Sequence, residues 1–404
     1  TDGHRVGAGG SRMIAQAAAR VRPAESLSIA LRGRAMHIEG ADPGPVTHPT
    51  PDNWYDVWRF ALTGRVRYRA GKTKVTFVPY LTAGRHRLYD GFLSLDTVMG
   101  AKLEATTKPH RMLRILGGLS AETIDGTVEN RIDGTYQALT ARSQASAYAQ
   151  AVVTPFTSLR LVGGSRLLYD QGEGLVMLYK GGLHWKISRH FAAYSNITRN
   201  FRQPTLRELY LPYPVANPDL KPEYSLNWSG SLSFKHRHME ATATLYRTSA
   251  RNLIKYFGSW PTAEVVNIDS YEVWGVEGKL RLKGLGPFSP YVMGNWQDVG
   301  RYTKQNPDAK LDFGVLLKLR HGRNRFRATL SGQYVHGLYM NNYARDPISD
   351  VFFLDLTMRY VIKTGRYTLE PYITARNLLD TRYAFVENYT MPGFNFLAGV
   401  RIVL

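Results

Sequence analysis

The stretch DVWRFALTGRVRYRAGKTKVTFVPYLTAG, residues 56–84, decides the fold. Trp58, Phe60, Leu62, Gly64, Val66 and Tyr68 share one parity, while Arg59, Ala61, Thr63, Arg65, Arg67 and Arg69 share the other. Alternation at period two sends successive side chains to opposite faces of a strand. Gly71-Lys72 supplies a tight turn, after which Val75, Phe77, Pro79, Leu81 and Ala83 resume the apolar face. The reading is a hairpin with one apolar and one basic face.

The same design recurs outward along the chain. In KLDFGVLLKLR (310–320) the residues Leu311, Phe313, Val315, Leu317 and Leu319 oppose Lys310, Asp312, Lys318 and Arg320. In FLDLTMRYVI (353–362) the residues Leu354, Leu356, Met358, Tyr360 and Ile362 oppose Asp355, Thr357 and Arg359. The ending, GFNFLAGVRIVL, stays apolar at every second position to Leu404. MIAQAAARVR (13–22), helical by composition, reads as a strand because SLSIALRGR follows it across a Pro turn.

Followed this way, the chain divides into about 19 segments of the length a tilted strand needs to cross a bilayer. Short turns at 23–26, 71–73, 284–287, 321–324 and 363–366 alternate with longer connections at 39–56, 201–222, 258–264, 302–309, 341–349 and 378–392. Short turns at one end and long loops at the other are the pattern of an outer-membrane barrel. Soluble sandwiches, propellers and solenoids cover their apolar faces with one another, and no blade-length repeat is present here. The expected fold class is therefore all-β, a transmembrane antiparallel β-barrel.

Composition narrows the chemistry. The chain has 404 residues, 44% of them hydrophobic, 37 Gly and no Cys. Disulfides, thiolate metal sites and thiol catalysis are excluded. No run of about 18 apolar residues supports a membrane helix. Phosphate-binding Gly loops and hydrolase or metalloprotease signatures are absent, so no enzyme and no cofactor is expected. His236 and His238 in KHRH read as a solvated basic turn rather than a metal site. The formal charge of +20 points to an anionic partner, whether nucleic acid, anionic lipid or a small ligand.

Three blocks carry a resemblance. YSNITRNFRQPTLRELYLPYPVANPDLKPEYSLNWSG (194–230) contains Phe201, Arg202, Pro204, Thr205, Glu208, Asn217, Pro218 and Glu223. NLIKYF (252–257), followed by EVVNIDSYEVWGVEGKL (264–280), contains Asn252, Asn267, Gly275 and Glu277. ARNLLDTRYAFVENYTMPGFNFLAGVRIVL (375–404) contains Asn377, Asp380, Tyr383, Pro392 and Gly393. In this order and spacing they resemble the TonB-dependent outer-membrane receptors, most clearly over residues 190–404. The final Leu404 departs from the aromatic residue with which that family usually ends.

The resemblance implies a 22-stranded barrel with an N-terminal plug and an energy-coupling box. Residues 1–404 would then be a partial barrel domain lacking the plug and about three strands. It implies residence in the outer membrane of a Gram-negative bacterium, with uptake of a scarce metal chelate, above all a ferric siderophore. Cobalamin or haem uptake and a passive pore or adhesin barrel are the alternatives; the absence of His between 203 and 217 speaks against haem. Implied partners are the TonB energy-transducing complex, a small-molecule metal chelate, outer-membrane lipid and lipopolysaccharide, and the barrel-assembly machinery. Nucleic acid is not among them. The basic excess adds weight to an anionic chelate with free carboxylates.

For ligand contact the residues singled out are Arg202, Arg207, Tyr210, Tyr213, Tyr339, Asn341, Tyr343 and Tyr383, because Tyr and Arg combine planar contact with hydrogen bonding and charge. Phe201, Pro204, Asn217, Pro218, Glu223, Gly275, Glu277, Asn377, Pro392 and Gly393 read as structural positions of the family motif.

Overall fold

The computed structural model describes residues 6–403 except 211–215, 258–263, 301–305, 340–346 and 387, with backbone alone at 138–140. Nineteen strands join one sheet, and a small hairpin, Ala384–Val386 with Tyr389–Thr390, forms a second. One short helix, Leu206–Tyr210, is present among the described residues. No described helix is long and apolar enough to cross a membrane; the strands are the elements of that length. The segment at 13–22 lies inside the strand Gly10–Ala24, as its hairpin context requires.

Two compact units divide the chain: residues 1–183, 196–226 and 250–270 form one, and 184–195, 227–249 and 271–404 form the other. In the first, the strands from Gly10–Ala24 to Leu159–Asp170 pair antiparallel in sequence order. The opening hairpin is Trp54–Ala70 with Thr73–Leu88, turning at 71–72. Leu62 faces Leu81, which faces Met99, so the apolar row crosses the strands in register. Pro79, which has no N–H for the ladder, lies 3.0 Å from where a side chain on Gly64 would begin. In the second unit, Phe288–Asp298, Ala309–His321, Asn324–His336, Val351–Thr364, Tyr367–Arg376 and Asn395–Val403 pair in the same antiparallel manner.

Burial follows a logic opposite to that of a water-soluble sheet. Met99 and Leu119 are 55% and 56% exposed, and Phe60 and Leu103 are also open. Apolar groups displayed in rows along many strands are stable only against hydrocarbon. The clusters of buried apolar residues are small: Leu209, Leu220, Ile254 and Val265 in the first unit, and Val335, Leu338 and Val351 in the second. Each lies at the loop end of its strands.

The polar face is held by long side chains reaching across neighbouring strands. Arg59 reaches over Gly84 to Asp96. Tyr80 crosses Gly100 to Glu122, which also accepts from Gln144 at 2.9 Å. Tyr246 crosses Gly275 to Asn295 and Gln297 at 3.2 and 3.0 Å. A Cβ on Gly275 would stand 2.5 Å from the Tyr246 hydroxyl, so this motif position must be bare for the ring to lie flat.

The turns match the expected positions closely, and the charge lies mostly there. Arg69, Lys72 and Lys74 surround the turn at 71–72; Lys318, Arg320, His321, Arg323 and Arg325 surround that at 322–323; Lys108, His110, Arg111 and Arg114 surround that at 111–112. The loop-side connections carry acidic residues, as with Asp42 and Asp52, or mix signs, as with Arg131 and Asp133 or Arg207 and Glu208. Much of the excess of +20 therefore sits at the turn ends of the strands.

Candidate functional site

PTLRE, residues 204–208, starts a helix in the middle of a loop. Thr205 caps it: its Oγ1 accepts from the Glu208 N–H at 3.2 Å, and Glu208 accepts from the Thr205 N–H at 2.7 Å. This reciprocal pairing satisfies N–H groups that a helix start otherwise leaves open. Glu208 is buried, and a buried carboxylate requires a cation. Arg202, the last residue of the strand Phe191–Arg202, provides it from Nη1 at 3.1 and 3.2 Å.

The same guanidinium grips the next strand. Arg202 Nε and Nη2 each donate to Glu223 at 2.7 Å, a two-pronged arrangement that fixes angle as well as distance. Glu223 opens the strand Glu223–Lys235 and also accepts from the Ile254 N–H at 2.7 Å. Asn217 donates to the Val265 carbonyl at 3.0 Å. Asn267 bonds Lys221 from both sides, accepting at 2.8 Å and donating at 2.9 Å, and donates to the Asn252 carbonyl at 2.8 Å. Asn252, at φ 56°, donates to Pro222. The segment from Arg202 to Glu223 is therefore fastened to three strands around the apolar knot of Leu209, Leu220, Ile254 and Val265.

Within this segment, Pro204 is buried and its carbonyl accepts from Arg142 at 3.2 Å. Pro218 is exposed. Tyr210 packs against the knot, and Arg207 points outward from the helix. Phe201 leans on Tyr224 at 5.3 Å between ring centroids. Tyr213, Asn341 and Tyr343 lie outside the described residues. Tyr339 forms an isolated bridge with Pro347. Tyr383 stacks on Phe353 at 5.2 Å and packs on the second knot. The structure thus brings Arg202, Arg207 and Tyr210 together in the first unit and places Tyr339 and Tyr383 in the second.

The closing block has its own clasp. Asn377, 2% exposed and at φ 50°, donates to the carbonyls of Thr381 and Pro392 and accepts from the Thr381 N–H. Asp380 accepts from the Phe394 N–H at 2.8 Å, and a Cβ on Gly393 would collide with that carboxylate. These contacts set the entry of the last strand. Glu277 is exposed on the strand Glu264–Leu282.

Sequence reasoning missed two features. Tyr224 donates to Glu173 at 2.6 Å and lies under two guanidinium groups, Arg199 at 5.4 Å and Arg251 at 4.8 Å. On the polar face of the first unit, Lys102, Arg166, Lys180, Arg199, Tyr148 and Glu104 line a cavity of about 440 Å³. Lys102, Glu104, Tyr148 and Arg166 share the polar parity of their strands, which was the available signal, but the assembly of the cavity from six strands was not.

Metal-binding geometry is limited. His37 Nε2 lies 3.2 Å from both Glu39 and Asp56, forming a three-ligand group among the described residues. Arg85 holds Asp56 at 2.9 Å, and Trp58 stacks on His37 at 4.1 Å, so the group is already an ion-paired network. His236 lies between His190 and His238, with its ring centroid 5.2 Å from the first and 5.6 Å from the second. Desolvation and the neighbouring His190, His238, Arg237 and Arg189 hold His236 below the ordinary imidazole range.

Comparison with known proteins resolves the family. The model of the TonB dependent receptor-like β-barrel matches residues 46–401. This chain belongs to the TonB-dependent receptor β-barrel family. Among curated relatives of this receptor domain, the vitamin B12 transporter BtuB of Photobacterium profundum is 24% identical over 227 residues. That match covers 54% of this chain and 36% of BtuB, so the chain matches only about a third of that relative's length. Among solved structures, the copper transporter OprC superposes with a TM-score of 0.82 at 15% identity, over 99% of this chain and 74% of OprC. The siderophore receptor PirA from Acinetobacter baumannii gives 0.76 at 12% identity, over 97% and 71%. At these identities the structures establish the fold: all-β, a transmembrane antiparallel barrel of the TonB-dependent receptor type. The family consists of receptors and transporters, not enzymes.

Proposed function

We propose that this chain is the barrel portion of an outer-membrane receptor of a Gram-negative bacterium that captures a scarce metal chelate, a ferric siderophore first among candidates, and passes it inward with energy delivered by TonB. The observation that carries this reading is the Arg202–Glu208–Glu223 lock, which fastens residues 203–210 to the strand that begins at Glu223, at the loop end of the strands. A loop fastened by buried ion pairs and capped by its own helix presents the side chains of its outer surface, Arg207 among them, in a fixed arrangement. Arg202 itself serves as the fastener. Lipopolysaccharide and the barrel-assembly machinery are partners expected from the same reading.

In operation, the chelate would meet aromatic and basic groups on the outer loops. The basic cavity around Lys102, Arg166 and Lys180 supports passage of an anionic cargo along the polar face. Arg166 is held in position by Ser146 and Ser120, each at 2.8 Å. The likeness to BtuB favours cobalamin as the second reading. Uptake of radiolabelled ferric siderophores, cyanocobalamin and haem, measured in cells lacking their own receptors and carrying the complete gene with and without TonB, decides between them. TonB-dependent accumulation of a ferric siderophore is the expected result. Uptake that persists without TonB would replace this reading with a passive pore.

A further inference from the structure

On the face opposite the Arg202 lock, the apolar rows of three neighbouring strands give way to polar groups at the loop end. In Gly174–Lys186, Leu175, Met177 and Tyr179 are exposed, and Glu173 is the next residue of their parity. Leu175 stands beside Leu167 and Tyr169 on the apolar wall that includes Leu103 and Leu119. In Phe191–Arg202, exposed Ile197 is followed at the same parity by Arg199 and Phe201. In Glu223–Lys235, exposed Leu226 is preceded at the same parity by Tyr224.

These end residues meet at the Tyr224 ring. Phe201 leans on it, Glu173 accepts from its hydroxyl, and the guanidinium groups of Arg199 and Arg251 lie over it at 5.4 and 4.8 Å. Arg199, whose strand borders the polar-face cavity, thus sends its guanidinium to the other side. Among the described residues neither Arg199 nor Arg251 forms an ion pair. Arg202, on the strand of the first, is taken by Glu208 and Glu223, and Arg247, on the strand of the second, by Glu272. The adjoining connections do not neutralise them: Glu208 belongs to Arg202, Asp219 forms no ion pair among the described residues, and 258–263 has no carboxylate. A plug inside the barrel would meet the face of Arg202 and Glu223, not this one. Two like charges held on one ring repel each other until a counter-charge arrives.

We propose that Arg199 and Arg251 clasp the phosphate of a lipid headgroup in the outer leaflet, with the acyl chains lying on the apolar wall below. The proposal rests on the reading of an outer-membrane receptor and assigns a contact to the lipopolysaccharide expected there. In such barrels the long loops face outside, so the loop end of an apolar wall marks the depth at which hydrocarbon meets the outer headgroups. Aromatic rings gather at that depth because one side is apolar and the other wet, as with Phe201 and Tyr224. Stacking on a ring leaves the guanidinium N–H edges open, and they match phosphate oxygens two at a time. Leu175, Ile197 and Leu226 supply apolar contact directly beneath, which a lipid uses and a free anion does not.

The test is native mass spectrometry of the full-length receptor in nonionic detergent, titrated with bis-phosphorylated lipid A, with the same lipid stripped of its phosphates, and with inorganic pyrophosphate. Retention of the phosphorylated lipid above both others is expected. The double variant Arg199→Gln/Arg251→Gln should weaken that retention by roughly tenfold or more, while Arg320→Gln/Arg323→Gln, at a basic turn of the opposite end, should leave it unchanged. Arg199→Lys/Arg251→Lys, which keeps the charge and loses the forks, should give an intermediate loss with an unaltered circular dichroism spectrum. Equal retention of the phosphate-free lipid, or equal losses in the two Gln double variants, would overturn the proposal. Pyrophosphate bound as tightly as the lipid would assign the cations to a water-borne anion and overturn it too. The readout needs neither cargo nor TonB, so a failure here leaves the uptake reading standing, and failed uptake leaves this one.

Discussion

Arg202 and Glu223, 21 residues apart, meet through two hydrogen bonds of 2.7 Å, and the same guanidinium reaches Glu208 inside the intervening loop. One side chain thus joins two adjacent strands and the helix between them. The residues of the family motif serve this junction: Thr205 orients Glu208, Asn217 and Asn267 tie the returning chain, and Leu209 and Leu220 fill the space beneath.

Replacing Arg202 by Ala leaves two carboxylates close together, with Glu208 buried. Removing one partner of a buried pair costs about 3–5 kcal/mol. Arg202 is 41% exposed, so solvent screening reduces the expected loss to about 1–3 kcal/mol. Hydrogen exchange across 203–222 should accelerate in R202A while the strands far from the loop keep their protection. Unchanged exchange in the loop would show that the apolar knot alone holds it.

Gly275→Val should displace the Tyr246 ring and break its bonds to Asn295 and Gln297. Overpacking of this kind costs about 1–3 kcal/mol, read as a lower unfolding midpoint in detergent. Tyr246→Phe keeps the ring over Gly275 and loses only the hydroxyl, so about 1 kcal/mol is expected. A Tyr246→Phe loss as large as that of Gly275→Val would assign the role to the hydrogen bonds rather than to packing.

Asp350 lies in a loop, where hydrogen bonds from Tyr334 at 2.5 Å and from His336 at 2.9 Å hold its carboxyl below the ordinary range. A depressed carboxyl stabilises the fold above its unfolded pKa, near 3.9, and loses that contribution as pH falls through the folded value. The contribution of the Asp350 carboxylate to the tie between this loop and the end of the strand Asn324–His336 should therefore be lost below about pH 4. Near-ultraviolet circular dichroism of Tyr334 follows it. Asp350→Asn should give a weaker, nearly pH-independent signal, and a wild-type signal unchanged down to about pH 2 would remove Asp350 as the cause.

Leu119 and Ser120 are adjacent, and their side chains lie on opposite faces: Leu119 is 56% exposed, while Ser120 accepts from Arg166. Spin labels at the two positions in a bilayer should report high oxygen accessibility at Leu119 and high accessibility to a water-soluble nickel chelate at Ser120. Equal values at both would deny the apolar face its lipid contact.

Strand existence, strand count and turn positions were legible in residues such as 56–84 because period-two alternation is local, and a bilayer on one side and water on the other repeat it without interruption. The three motif blocks were legible for the same local reason, as fixed spacings. The sequence by itself did not determine the helix Leu206–Tyr210, since its capping box lies among Pro and aromatic residues that read as loop. Nor did it determine where the positive charge matters. Summed over the chain, it pointed to an anionic partner; placed on strands, much of it gathers at the turns. Arg202 shows the same limit: as a letter it is a candidate ligand contact, and only the fold, by bringing Glu208 and Glu223 within 3.1 and 2.7 Å, makes it a fastener. Pairings between residues far apart in the chain depend on strand register and on which charges are removed from water, and those are properties of the folded sheet alone.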